Sequence, residues 1–265
     1  MTGLKTSISK MTEAITAILS ENQPSVYLFG SVVLDDFRLG WSDIDILCLT
    51  QTEISQMQAD ELVELRQKLL ENEPENPYYR SFEGGMLPLN AFLNHAPGRV
   101  IYWGTSGQRI TDNYHFDSFG MAELLEDGVL LFGKDVRDRM IYPTYEQLRL
   151  DVMRHYEVIR KYAQTTGRSV KSYGWLLDVA RGLYTLRIGK VIAKTKAGEW
   201  ALEQGLCPAP EALETAVAIR KAFAKYRDRA DVLSQAETLG SNIQRFADVL
   251  QKELEKTERV SGDNI

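Results

Sequence analysis

The chain has 265 residues, 44% of them hydrophobic, with a formal net charge of −6 and a pI near 5.3. Such a length can bury one large core or two moderate ones, and the acidic balance argues against the basic footprint of a nucleic-acid polymerase or binder. No uninterrupted apolar run approaches the ~20 residues of a membrane span, and the opening KTSISKMTEAITAIL reads as an amphipathic helix rather than a secretory signal. A cytoplasmic monomer without membrane or nucleic-acid partners is therefore expected. Two apolar, β-rich runs follow that helix, Val26 to Phe29 and Ile44 to Leu49. Gly30-Ser31 closes the first run and Asp43-x-Asp45 opens the second. Helix and strand signals alternate up to about Tyr142-Pro143-Thr144, where a proline and a threonine suited to an N-cap precede the first long helical pattern. From there the spacing predicts helices over YEQLRLDVMRHYEVIRKYAQ, SYGWLLDVARGLYTLRIGKVIA, PEALETAVAIRKAFAKYRDR and NIQRFADVLQKELEK. The fold class is thus α+β: a mixed-sheet domain over residues 1–143, a helical bundle over 144–258, and a frayed tail over 259–265. Cys48 and Cys207 lack the spacing of a metal or redox motif and read as reduced thiols. His95, His115 and His155 lie in unrelated settings and are assigned no role.

The chemistry concentrates between Val26 and Thr50. Successive strand side chains point to opposite faces, so Asp43 and Asp45 share one face while Ile44 and Ile46 share the other. Two carboxylates aimed at one spot are costly unless a cation neutralises them. Hard oxygen ligands at this spacing suit Mg²⁺, which completes its shell with water and phosphate oxygens, so Mg²⁺ with a nucleoside triphosphate is the expected ligand. Gly30, without a Cβ, permits close backbone approach to phosphate, and Ser31 offers a hydroxyl and an amide to the same oxygens. Ser42 is placed to serve the phosphates in a similar way.

These residues resemble the polymerase-beta-like nucleotidyltransferase superfamily, in which a Gly-Ser turn and an Asp-x-Asp pair lie on adjacent strands of a small mixed sheet. Within it, the sequence is similar to the bacterial aminoglycoside nucleotidyltransferases of the streptomycin and spectinomycin adenylyltransferase type. Gly104 at the end of RVIYWG, then LLEDGVLLFGKDV, then VARGLYTLRIGKVIAKTKAGEWAL occur in the family's order, from about Ser25 to Leu202. The resemblance implies that Glu83, in YYRSFEGGMLPL, is the third carboxylate, serving as catalytic base and joining Asp43 and Asp45 as a metal ligand. Asp112 and Asp117 are the substitutes, and read more simply as loop or cap residues. It further implies that Arg181 contacts the nucleotide and that Lys194, or Lys196 in a shifted register, contacts phosphate. Phe223 or Tyr226 would stack on adenine, and the site would lie in a cleft between the two domains.

The departures from the family fall on the acceptor side. Thr105-Ser106 stands where a streptomycin-contacting tryptophan is expected, and Lys171 or Ser172 where an acidic residue is expected. A cationic aminoglycoside would lose a charge partner there, although Asp178 or Glu123 could supply another. The expected function is Mg²⁺-dependent transfer of AMP from ATP to a hydroxyl of a small molecule, an antibiotic closer to spectinomycin than to streptomycin, conferring resistance. Its rivals are AMPylation of a protein partner, as in toxin–antitoxin pairs, and a non-catalytic nucleotide-binding module.

Overall fold

The computed structural model describes residues 2–262 apart from 97, 105, 106 and 113. Contacts divide the chain into two compact units, Met1–Tyr142 and Pro143–Ile265.

The first unit is built on a six-stranded sheet. Its elements in chain order are α1 (Thr2–Ile18), β1 (Ser25–Phe29), β2 (Ile44–Thr50), α2 (Gln56–Asn72), β3 (Phe82–Pro88), α3 (Leu89–Leu93), β4 (Val100–Gly104), β5 (Gly107–Thr111), α4 (Ser118–Glu126) and β6 (Val129–Phe132). The strand order is β5-β4-β3-β2-β1-β6. Among the described residues, only β2 and β3 pair in parallel, and the α2 crossover makes that pairing feasible. Period-two alternation sorts the apolar residues into two cores. Val26, Leu28, Ile44, Ile46, Met86 and Trp103 pack with α1 and α2 on one face. Tyr27, Phe29, Leu47, Leu49 and Leu87 pack with Phe92 and Leu124 on the other. The helix start signals are explicit: Ser55 and Gln58 form a capping box at α2, and Asp117 caps α4 by accepting from the Gly120 amide at 2.7 Å.

The second unit is helical among its described residues: α5 (Tyr145–Tyr162), α6 (Gly174–Ile188), α7 (Lys194–Glu203), α8 (Pro210–Lys221), α9 (Phe223–Tyr226), α10 (Ala230–Ala236) and α11 (Gly240–Gly262). Thr144 and Gln147 form the capping box that opens α5. Two of the helices expected from periodicity are broken. SYGWLLDVARGLYTLRIGKVIA stops at Ile188 because Gly189 adopts the left-handed region at φ +74°, and the chain restarts as α7. The run beginning PEALETAV breaks at Ala222, whose φ of −138° and ψ of 51° leave the helical region. The last helix continues to Gly262, into the stretch expected as tail, and residues 263–265 lie outside the described ones.

Candidate active site

The carboxylates meet through strand register. In the parallel β2–β3 pair Asp45 stands directly opposite Glu83, and Asp43 precedes the first residue of β2 on the same side. Glu83, Gly84 and Gly85 all lie within β3. Gly84 sits at φ +147°, where a Cβ would collide with the Ile46 carbonyl oxygen of the neighbouring strand, and a Cβ on Gly85 would strike the Tyr114 ring. Glycine is therefore required there for close strand packing, which draws Glu83 against Asp45. Gly30 acts similarly: at φ +69° its missing Cβ leaves space filled by the Asp45 carboxylate. Ser31 holds both aspartates, its hydroxyl donating to the Asp43 carbonyl at 3.2 Å and its amide donating to the Asp45 side chain. Ser42 is buried, and its hydroxyl oxygen accepts from the Arg38 amide at 3.0 Å, closing the loop that leads into Asp43.

The electrostatics are those of crowded anions. Loss of hydration, together with Glu123, Asp43 and Glu83, pushes the Asp45 carboxyl up to about 8, against one hydrogen bond from the Ser31 amide. Glu83 is also raised, mainly by burial. The Tyr102 hydroxyl, donating to Glu83 Oε1 at 2.9 Å, and Arg66 draw it back down, while Asp43, close enough to share a hydrogen bond, pushes it up. A hydrogen bond between two carboxyl groups needs a proton on one of them. Among the described residues, no three His, Cys, Asp or Glu side chains form a ready-made metal cage. The donor set nonetheless fits a hard divalent cation: oxygen ligands only, half-buried, and costly to ionise together without positive charge among them. A cavity of about 890 Å³ in this unit lies elsewhere, lined by Leu4, Ile8, Leu28, Val32, Phe37 and Phe132 and by none of these carboxylates.

In the helical unit, Arg181 and Lys194 converge on Asp178. Lys194 Nζ lies 2.6 Å from Asp178 Oδ1. Burial pushes the Asp178 carboxyl up, yet Lys194, Arg181 and His155 together hold it below the usual carboxylate value. Lys194 is the first residue of α7, whose first turn carries no acidic side chain, so the helix dipole and the ammonium both favour an anion there.

Residues 11–77 match the nucleotidyltransferase domain family, and residues 152–253 match the aminoglycoside adenylyltransferase C-terminal domain. The chain is an adenylyltransferase. Among solved structures it is similar to spectinomycin adenyltransferase AAD(9) from Enterococcus faecialis, crystallised with ATP and spectinomycin. The TM-score is 0.67 at 16% identity, over 92% of this chain and 98% of that one, a likeness that establishes the fold. No curated protein gives a significant match to the sequence. The first matched span contains Gly30, Ser31, Ser42, Asp43 and Asp45, the second contains Arg181 and Lys194, and Glu83 lies outside both.

Within the adenylyltransferase, Asp43, Asp45, Glu83, Gly30 and Ser31 are thus neighbours in the sheet unit, and Arg181 and Lys194 are neighbours in the helical unit. Asp117 is a helix cap and Asp112 is exposed, so neither joins the carboxylates. Phe223 and Tyr226 both fall on the four-residue α9, where Arg229 and Lys225 lie over the Tyr226 ring at 5.2 and 5.6 Å. Thr105 and Ser106 lie outside the described residues. Glu123 and Asp178, candidates for meeting a cationic acceptor, are engaged otherwise: Glu123 is buried on α4 and raises Asp45, and Asp178 pairs with Lys194. Cys48 and Cys207 are buried, and burial pushes the Cys48 thiol up to about 12, as an inert core residue requires. Sequence reading missed Arg66, Tyr102 and the proximity of His155 to Asp178. Tyr102 carried a signal, standing at the alternate strand position before Gly104. Among the described residues, no helix is long and apolar enough to cross a membrane.

Proposed function

We propose that the enzyme transfers AMP from ATP, with Mg²⁺, to a hydroxyl of a small amine-bearing alcohol of the spectinomycin or aminoglycoside kind. The observation that carries this reading is the Asp45–Glu83 register, which sets a third carboxylate beside the Asp-x-Asp pair, where burial and the neighbouring carboxylates, Glu83 among them, push Asp45 up to about 8. Asp43 and Asp45 would hold the cation, with Glu83 at its edge. When bound, Mg²⁺ supplies the positive charge that neutralises the triphosphate and the developing pyrophosphate. Ser31 and Gly30 fix the Asp45 carboxylate, and Ser42 holds the loop carrying Asp43; with the backbone of the Gly30-Ser31 turn they border the triphosphate. Arg181 and Lys194 exchange Asp178 for phosphate oxygens. Glu83 takes the proton from the acceptor hydroxyl as the new oxygen–phosphorus bond forms at the α-phosphorus. The bond to the bridging oxygen breaks, and pyrophosphate leaves. A net charge of −6 suits a cationic acceptor.

Pyrophosphate release from Mg²⁺-ATP across aminoglycosides, spectinomycin and lincosamides tests the reading, with Glu83→Gln as control. Release that depends on one compound and on Glu83 supports it. Silence across the panel with ATP still bound sinks the small-molecule acceptor and favours a protein acceptor.

A further inference from the structure

We infer that Tyr102 is a positioning residue for Glu83, holding the carboxylate in the orientation from which it accepts the acceptor's proton. The inference rests on Glu83 acting as the base. It begins with strand register: antiparallel pairing of β3 and β4 places Tyr102 opposite Gly85 and Trp103 opposite Gly84. Trp103 turns into the core, where its indole N–H donates to the Leu62 carbonyl at 3.0 Å, so Tyr102 takes the opposite face, the one that carries Glu83 and Gly85.

Glycines then decide where the ring goes. A Cβ on Gly104 would run into the Tyr102 ring, and Gly85 opposite it bears no side chain. The half-buried phenol therefore reaches along the sheet, and its hydroxyl donates to Glu83 Oε1 at 2.9 Å. Two further groups fix the ring. The Arg109 guanidinium, on the paired residue of β5, lies 4.6 Å from its centroid, and the Tyr114 ring stands 6.0 Å away at 47°. The result is a rigid donor tied to one oxygen of a carboxylate that otherwise has three rotatable bonds. A base held within a few tenths of an ångström of its productive geometry gains most of its advantage from such support. The same carboxylate lies within hydrogen-bonding reach of Asp43 and stands opposite Asp45 in the register.

Tyr102→Phe keeps the ring and deletes only the donor. Turnover of spectinomycin and Mg²⁺-ATP by Tyr102→Phe, Glu83→Gln and the double variant, read with thermal melts, tests the inference. We expect Tyr102→Phe to lower kcat about 10- to 100-fold, as the loss of one hydrogen bond to a charged group does. KM for ATP should stay within about 2-fold and the melting temperature should be near that of wild type. The double variant should be no slower than Glu83→Gln alone, because Tyr102 acts only through Glu83. Wild-type kcat in Tyr102→Phe, or losses that multiply in the double variant, would overturn it. Glu83→Gln at wild-type rate would also overturn it, because Tyr102 would have no base to position, whereas a wild-type enzyme silent across the whole acceptor panel removes the proposed function instead.

Discussion

The two units handle charge in opposite ways. In the sheet unit Asp43 pushes up both Asp45 and Glu83, Glu83 pushes up Asp45, and Glu123 adds to the effect on Asp45. In the helical unit Lys194 and Arg181 are matched by Asp178, which is held ionised despite its burial. Asp178 is matched by Arg181 three residues on along α6 and by Lys194 at the start of α7, so this cluster neutralises itself. The strand register fixes the carboxylates side by side, and the proposed function gives their neutralisation to a cation. One site is strained by like charge and the other is relaxed, which predicts that ligands stabilise the first and displace a contact in the second.

The sharpest way to break this contrast is Asp45→Asn. It should cut pyrophosphate release by about 10³-fold or more while leaving the melting temperature in EDTA equal to or above that of wild type, since it removes a charge that burial and its neighbours oppose. Wild-type turnover would sink the site. Lys194→Ala should act the other way, raising KM for ATP about 10-fold and lowering stability, because Asp178 is left with one cation fewer. Adding Asp178→Ala should restore the stability and not the KM. Recovery of both would mean that Lys194 serves only the fold.

The smallest effect concerns pH. The folded Asp45 carboxyl lies near 8, above its ordinary value of 3.8, so the folded state binds its proton more tightly than the unfolded chain does. In EDTA this stabilisation is complete below about pH 4 and is lost as pH rises through 8. Melts from pH 5 to 9 should therefore fall by a few degrees in EDTA and flatten in Mg²⁺, because the cation favours the ionised form. Identical slopes with and without Mg²⁺ would show that no cation binds among the carboxylates.

The sequence made some of this legible and concealed the rest. Asp43 and Asp45 could be placed on one face because period two is a local rule, and Thr144 could be read as a cap because capping is decided within four residues. Glu83 could be found only through the family resemblance, since a parallel pairing across α2 leaves no local trace and Gly84-Gly85 looks like a turn. Tyr102 and Arg66 were hidden for the same reason, their partners lying 19 and 16 residues away in sequence. The break at Gly189 was overlooked because apolar periodicity continues through RIGKVIA although the backbone does not.

The strand order carries a consequence for synthesis. Val26 of β1 pairs with Phe132 of β6, the last strand of the sheet to leave the ribosome. Until then β1 has a partner only on its β2 side, and the hydrogen-bonding edge beside Tyr27 and Leu28 is open to any extended chain. The nascent protein therefore spends most of the translation of its first unit with an unfinished sheet, and completes it only as Thr144 is about to start the first helix of the second.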